Sequence, residues 1–399
     1  MKRLLLLGGS RYLLPVIDVA HKLGIYVITC DYLPNNYAHK FSDEYINVSI
    51  IDKELVLKKA IELQIDGIMS FACDPGVVTA AYVAEKMGLP SVGSYESVCI
   101  LQNKGKFRKF LKDNGFNVPV AKSYNNIKKA LDDIEMFNWP VIVKPTDSAG
   151  SKGVKKVENK EKLEKSIEYA LSFSHCKEFI IEDFLQQKGF SSDCDSFSIN
   201  GKMIITNFSS QWFDTKVKNP YTPSAFTWPS SINDKNKKEL TNEIQRLINL
   251  LNLKTSLYNI ETRECINGKS YIMELSPRGG GNRLSEMCDK IYGTSMIENA
   301  VRAAVGFELV EMKKERNTSY WCEIILHSDK DGIFDKLLID NMYKNNVYEN
   351  DLWVKPGDKI YGFTGANQAL GTLIVNFDNQ ENLYEFMSNQ NKYIKIITR

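Results

Sequence analysis

At 399 residues the chain is too long for one ordinary hydrophobic core, so two or three compact units with a cleft between them are expected. Apolar residues make up 43% and charged residues 25%, the mix of a soluble globular protein. A net charge of +2 with acids and bases interspersed gives no electrostatic ground for a nucleic-acid or membrane partner. Small-molecule substrates are the expectation instead.

The opening run "MKRLLLLGGSRYLLP" imitates a secretory signal, but four leucines are too few for its apolar core and Arg11 interrupts the run beyond them. It reads as a first buried strand. No stretch approaches the ~18 to 20 apolar residues of a membrane span. The eight cysteines form no CxxC pair and have no histidine partner pattern, which points to reduced, buried thiols and a cytoplasmic location.

Over the first hundred residues short apolar strands alternate with helical segments: "RLLLLGG", a helix over Tyr12 to Leu23, "IYVITCD", a helix over Lys53 to Gln64, "DGIMSF", and a helix after "CDPG". That alternation predicts a parallel α/β sheet. Asp74 before Pro75 reads as an N-cap, with Gly24 and Gly88 as helix stops. "GGSRYL" lacks the GxGxxG spacing of a dinucleotide site.

From Leu101 to Asn114 the sequence predicts one basic amphipathic helix, "LQNKGKFRKFLKDN", leading into a unit with strands "WPVIVKP" and "EFIIEDFL". Two strands flank Asn200-Gly201. The segment from Gln211 to Ile232, rich in Pro, Ser and aromatics, exceeds ordinary loop length and is expected to be a lid or substrate loop. Its Trp212, Phe226 and Trp228 are candidate pocket residues. A helix to Leu251, a hairpin and a strand-rich tail from about Lys313 complete the chain.

"VIVKPTDSAGSKGV" places Lys144 at the end of a buried strand, followed by small residues whose backbone N–H groups can point at an anion beside the lysine charge. The end of the second strand, Glu182, Asp183, Phe184 and Leu185, offers a backbone edge and apolar faces suited to adenine. Lys104 can reach the same phosphates from the opposite side.

In "LYNIETRECINGKSYIMELSPR", Asn267-Gly268 between apolar runs predicts a two-residue type I′ hairpin. That register sets Glu261 opposite Glu274, with Cβ atoms ~5 Å apart, an arrangement that is destabilising without a counter-ion. Mg²⁺ fits, since it needs only one or two carboxylates when phosphate supplies other ligands. Alternation puts Glu274, Ser276 and Arg278 on one face, with Met273 and Leu275 on the other.

The order Lys104, "KP…GSKGV", "EDFL", "ETR…MELSPRGGG" resembles the ATP-grasp superfamily over essentially the whole chain, and among its members the L-amino acid ligases and related carboxylate-amine ligases. The resemblance implies an ATP-grasp fold, α/β overall and α+β in the ATP-binding part. It comprises an N-terminal preceding domain (1–100), a small subdomain (101–190), a large subdomain (191–312) and a small C-terminal α+β domain (313–399).

It further implies ATP with Mg²⁺, or Mn²⁺ in its place, and phosphate contacts from Lys104 and Lys144. Asp147 to Val154, including Ser148, Gly150, Ser151 and Gly153, matches the mobile glycine-rich loop, and Glu182 to Leu185 the adenine hinge. Glu261 and Glu274 match the acidic metal ligands. Arg278 matches the arginine that holds a carboxylate substrate, with the N–H groups of Gly280 and Gly281 meeting the reacting oxyanion. Two places depart from the pattern: Ser276 stands where a third, asparagine ligand is usual, and Ser191 where a ribose-binding glutamate is usual.

The implied reaction joins a small carboxylate to an amine through an acyl phosphate, releasing ADP and phosphate. A carboxylase working through carboxyphosphate and a catalytically silent ATP-binding module are the alternatives. Homodimers are one assembly the resemblance allows.

Overall fold

The leucine run Arg3–Leu7 forms a central strand of a four-stranded parallel sheet, flanked by Tyr26–Asp31 and Gly67–Ser70, with Glu44–Asn47 at the far edge. Leu4 to Leu7 are fully buried, as strands covered by helices on both faces require. The computed structural model describes residues Met1–Arg399. The edge strand Glu44–Asn47 carries no apolar run and was not legible in the sequence. Helices Leu14–Lys22, Lys53–Glu62 and Asp74–Met87 lie where the alternation puts them, and the last stops at Gly88 in the left-handed region, φ 67°. Cys73, not Asp74, holds the N-cap position, and no side chain caps that end.

The single basic helix is two helices. Tyr95–Gln102 ends at Asn103, whose extended backbone turns the chain and whose side chain caps a new helix, Lys104–Asp113, by accepting from the Lys106 N–H. The break makes Lys104 the first residue of its helix. Its backbone N–H donates to Thr146 O at 2.9 Å, fastening the helix to the loop after Lys144.

The following unit is an antiparallel sheet ordered Ala121–Tyr124, Phe179–Asp183, Val141–Pro145 and Lys155–Val157. The next sheet, also antiparallel, runs Lys202–Ile205, Ser192–Ile199, Ser256–Glu264 and Ser270–Ser276. The helix Asp234–Leu250 covers one face of it, with Leu240, Ile244, Leu247 and Ile248 packed against Tyr258, Ile260, Ile272 and Leu275. The other face lines the cleft.

The segment 211–232 is not a lid. It holds two strands, Ser210–Phe213 and Pro223–Trp228, which pair and then join Tyr320–Leu326, Gly371–Phe377 and Val347–Leu352 in a five-stranded sheet. Phe226 and Trp228 are buried in the largest core cluster with Leu6, Phe197 and Trp321, so they pack the core. Trp212 packs on Phe190 at 4.3 Å and donates to Thr227. Pro223 stands at the first residue of its strand, a position where a missing N–H is tolerated, and so did not prevent pairing. Spatially, these strands belong with the tail. A three-stranded sheet of Lys359–Ile360, Gly332–Ile339 and Ile394–Thr398, with the helix Gln380–Ser388, completes that α+β unit.

The first sheet is clamped to the rest at Gly67, where a Cβ would lie 2.1 Å from the backbone oxygen of Ala304 on the helix Met296–Val305. Gly67→Ala is expected to cost about 1–3 kcal/mol by overpacking, read as a lower urea midpoint with an unchanged slope.

Candidate active site

The hairpin reaches the expected pairing by a different route. Cys265 N donates to Lys269 O and Gly268 N to Cys265 O, both at 3.0 Å, so the tip is a three-residue turn, Ile266 to Gly268, with Gly268 left-handed at φ 78°. Near this tip Glu264 pairs with Ser270 and Thr262 with Ile272, one position off the predicted register. A bulge next to Glu261 then absorbs one extra residue, and Glu261 pairs with Glu274, Ile260 with Leu275 and Asn259 with Ser276. The bulge also corrects the predicted facing of Met273. Tyr271 and Met273 cluster with Cys265 and Leu185, while Ile272 and Leu275 enter the opposite core, so Met273 and Glu274 share the cleft face although adjacent in sequence.

A third carboxylate extends the pair. Glu261 is also opposite Asp193 on the neighbouring strand, giving a row Asp193, Glu261, Glu274 across three strands, and Asp195, Asn259 and Ser276 form the next row. Burial pushes the Glu261 carboxyl up, and Glu274 adds to the rise against the pull of Arg263, 3.4 Å away. Asp193 is pushed to about 8 by burial, Glu261 and Asp195. Glu274 goes the other way: burial would raise it, but Lys104 at 3.0 Å and the Lys144 charge hold it below the ordinary value. Glu274 keeps 46% of its side-chain surface, so it is the member of the row most open to a ligand. No group of three or more His, Cys, Asp or Glu is disposed to hold a metal ion by itself. The donor set fits a hard cation whose remaining ligands would come from phosphate, and Glu261 and Glu274 are the carboxylates that could hold it.

Lys104 and Lys144 stand on either side of this row. The ammonium of Lys104 bridges Glu274 and the backbone oxygen of Ser148, at 3.0 and 2.9 Å, so helix, strand and glycine-rich loop meet at one charge. Lys144 reaches Glu182 at 2.9 Å; burial lowers its pKa, against the pull of Glu182. Glu182 is fully enclosed. Burial would raise it, but Arg108 and Lys144 outweigh that and hold it at about 2. Arg108 Nε lies 2.9 Å from Glu182 Oε1 but off the angle for a hydrogen bond, and its buried Nη2 has no partner, while Nη1 donates to Met273 O.

The other hinge residues separate in role. Asp183 turns outward to Asn138, Phe184 carries Lys156 over its ring, and Leu185 packs toward Met273 with an N–H that donates to no protein acceptor. Ser191 is buried and donates to Gln187, away from the cleft. In the loop, Asp147 is fixed by Ser174 and Cys176, Gly150 and Gly153 take positive φ of 67° and 75°, and Ser151 donates to Tyr221 O.

Arg278 and the glycines are already occupied by the protein. Asp74 accepts from Arg278 Nε at 2.9 Å and from Nη2 at 2.6 Å, and also from Ser276 Oγ at 2.8 Å, which explains why its side chain caps no helix. Ser276 also accepts from Gln102. Gly280 N donates to both oxygens of Asp195 at 2.9 Å, so this amide is committed and not free for an oxyanion. A Cβ on Gly279 would lie 2.2 Å from the Phe71 ring, and one on Gly280 2.8 Å from Asp195 and Asn259. The close approach that demands glycine here is to the protein's own neighbours. Gly281 is unobstructed. Asn282 and Arg283 follow in the left-handed region, φ 51° and 59°, and Arg283 is held there by Glu286, Glu349 and Thr372.

Arg108, Asp193, Asp195 and Asn259 escaped the sequence reading, and Asp74 entered it as a helix cap and not as the partner of Arg278. Two signals existed: Asp193 and Asp195 are spaced to share a strand face, and Arg108 follows Lys104 by one helical turn.

Residues 137–286 match the model of the ATP-grasp domain. The carbamoyl phosphate synthase large chain of Thermotoga neapolitana is 25% identical over 249 residues, 62% of this chain and 22% of that protein. The one from Clostridium beijerinckii is 22% identical over 299 residues, 74% and 27% respectively. The chain thus spans roughly a quarter of these relatives. Among solved structures, the L-amino acid ligase from Bacillus licheniformis superimposes with a TM-score of 0.82 at 18% identity, covering 100% of this chain and 99% of that one. Phosphoribosylglycinamide synthetase from Anaerococcus prevotii gives 0.76 at 23%, covering 100% of both. N5-carboxyaminoimidazole ribonucleotide synthetase from Thermotoga maritima gives 0.76 at 18%, again over 100% of both. These likenesses establish the fold, including the parallel N-terminal sheet and the α+β tail.

Because its carboxyl is depressed in the folded state, Glu182 contributes stability above the ordinary glutamate pKa that is lost as pH falls toward about 2. Glu182→Gln is expected to cost about 3–5 kcal/mol at pH 7 by stranding Arg108 and Lys144. Urea titrations of both proteins should show that difference shrinking between pH 4 and pH 2.

Proposed function

We propose that this chain, which belongs to the ATP-grasp superfamily, is an ATP-dependent ligase that joins a small carboxylate to an amine through an acyl phosphate. The observation that carries the reading is the convergence of Lys104, Lys144, Glu261 and Glu274 at one cleft, with the Lys104 ammonium shared between Glu274 and the glycine-rich loop. Phosphates entering there would replace carboxylates as partners of the two lysines. A magnesium ion held by Glu261 and Glu274 would supply charge neutralisation of the phosphates. Adenine would lie on Leu185 and Met273, with the Leu185 N–H as donor.

Positioning and electrostatics supply most of the catalysis. A carboxylate oxygen attacks the γ-phosphorus as the bond to the β-bridging oxygen breaks and ADP leaves; an amine then attacks the acyl carbon and phosphate departs. Arg278 receives the carboxylate by exchanging Asp74 for it, a swap of one bidentate carboxylate for another. Gly281 N–H remains the backbone donor for the developing oxyanion, with Gly280 holding the loop through Asp195.

A second reading, a carboxylase acting through carboxyphosphate, is favoured by the closed state of Arg278 and the committed Gly280 amide, since bicarbonate needs a smaller cradle. The Ser276 side chain, bound to Asp74 and not turned to a metal, favours a silent nucleotide-binding module.

ADP release with ATP and Mg²⁺ against crossed amino acids, polyamines and small carboxylic acids separates the three. Amine-dependent release supports the ligase, bicarbonate-dependent release without amine the carboxylase, and binding without release the module. Glu274→Gln is expected to lower turnover by about 100-fold or more; full activity in that variant removes the metal assignment. Asp74→Asn should lower KM for the carboxylate, because Arg278 no longer has to be released first.

A further inference from the structure

The five-stranded sheet turns one face to its own helix Gln380–Ser388 and the other to the rest of the chain. Along Tyr320–Leu326, Cys322, Ile324 and Leu326 take the first face, in a core with Leu383 and Phe386, while Trp321 and Ile325 take the second and enter the cluster that holds Leu6, Leu13 and Leu284. Glu323 alternates with the second set, and its cross-strand neighbours Phe226 and Ile374 belong to the same cluster. A carboxyl is thus driven into the apolar seam between the C-terminal sheet and the other units. It is 0% exposed, and neither of its side-chain oxygens has a hydrogen-bond partner.

The charges around it balance without it. Arg283 is the cation whose charge reaches Glu323, but all three of its nitrogens are engaged: Nε and Nη2 with Glu286, Nη2 also with Glu349, and Nη1 with Thr372. Lys290 pairs with Glu349 at 3.1 Å, so two cations meet two carboxylates. Asp195, committed to Gly280 N and Ser285, and Asp351, held by Trp353, add only negative charge, and the Tyr12 hydroxyl donates to Asn282. An ionised Glu323 would be a surplus charge in that seam, far costlier to bury than the neutral acid. Burial drives its pKa well above the ordinary glutamate value, against the pull of Arg283 and with the help of Glu286, Glu349 and Asp195.

We propose that Glu323 is a proton-operated latch: as the neutral acid it lets the C-terminal sheet seat on the other units, and on losing its proton to water it takes Arg283 from Glu349 and loosens that seat. Arg283 ends the glycine-rich turn that begins at Gly279, with its backbone in the left-handed region at φ 59°, so loosening the seat also releases the turn beside the cleft. Because folding raises this carboxyl's pKa, its stabilising contribution is complete below the ordinary glutamate value and is lost as pH rises through the raised one. The latch does not depend on the ligase reading.

Hydrogen exchange of the full chain, corrected for its intrinsic pH dependence and followed over 279–290 and 320–326 from about pH 5 to about pH 9, tests it, with a urea midpoint taken at each pH. The opening constant of both segments is expected to rise with pH by up to about tenfold per unit, and Glu323→Gln, which has no proton to lose, should remove that rise. Glu323→Met should match the unaltered chain near pH 5 and exceed its urea midpoint near pH 9, since an apolar side chain of similar length suits the seam at every pH. A carboxyl kept for its packing or hydrogen bonding would instead make the Met variant the weaker protein throughout. Parallel pH profiles for the unaltered chain and the Gln variant, a Met variant that is weaker near pH 9, or failure of both variants to fold near pH 5 overturns the latch. A rise confined to 320–326 overturns the link through Arg283.

Discussion

Carboxylates crowd this cleft, and their mutual repulsion has to be answered within a few ångströms. Asp193, Glu261 and Glu274 sit side by side on three strands, with Asp195 one row behind and Asp74 and Glu182 at the flanks. Apart from Arg263, which shares a strand with Glu261, the cations come from outside that sheet: Lys104 and Arg108 from a helix, Lys144 from the neighbouring sheet, and Arg278 from the loop beyond the hairpin. Charge pairing therefore links the units at the cleft, beside the apolar packing that joins them elsewhere. Asp193, with only Asn259 as a side-chain partner, keeps its proton near neutral pH instead.

The ion pairs are also the points at which the molecule can respond. Each lysine that would meet a phosphate is now satisfied by a carboxylate, so nucleotide binding is an exchange of partners and not the filling of an empty charge. Lys104 is central because one ammonium touches the strand and the loop while its backbone touches Thr146. Removing it from Glu274 would leave that carboxylate to a metal and free the loop at Ser148 together.

The parallel sheet and the presence of a hairpin were legible in the sequence because apolar alternation and turn residues are local signals; the Glu261–Glu274 pairing was reached from a two-residue turn that the chain does not make, and it holds because the bulge next to Glu261 offsets the longer tip. The features that were not legible are non-local. The 211–232 segment looks irregular because its first strand pairs only with its second, and the second finds its other neighbour a hundred residues later in the tail. Asp74 looks like a cap because its true partners, Arg278 and Ser276, lie two hundred positions away. The helix break at Asn103 carries a local signal, since asparagine before a lysine-rich turn is a good cap, but amphipathic periodicity across it conceals the stop. Glycines 279 and 280 do permit close approach; which atoms approach them is decided by the fold.

The hairpin bulge has one further effect. Strand geometry normally assigns consecutive side chains to different environments. Here Met273 and Glu274 look into the same space, one apolar and one charged, and a single ligand lying along the strand would feel both. Substituting either one alters the surroundings of the other, so the two side chains act on such a ligand as a pair.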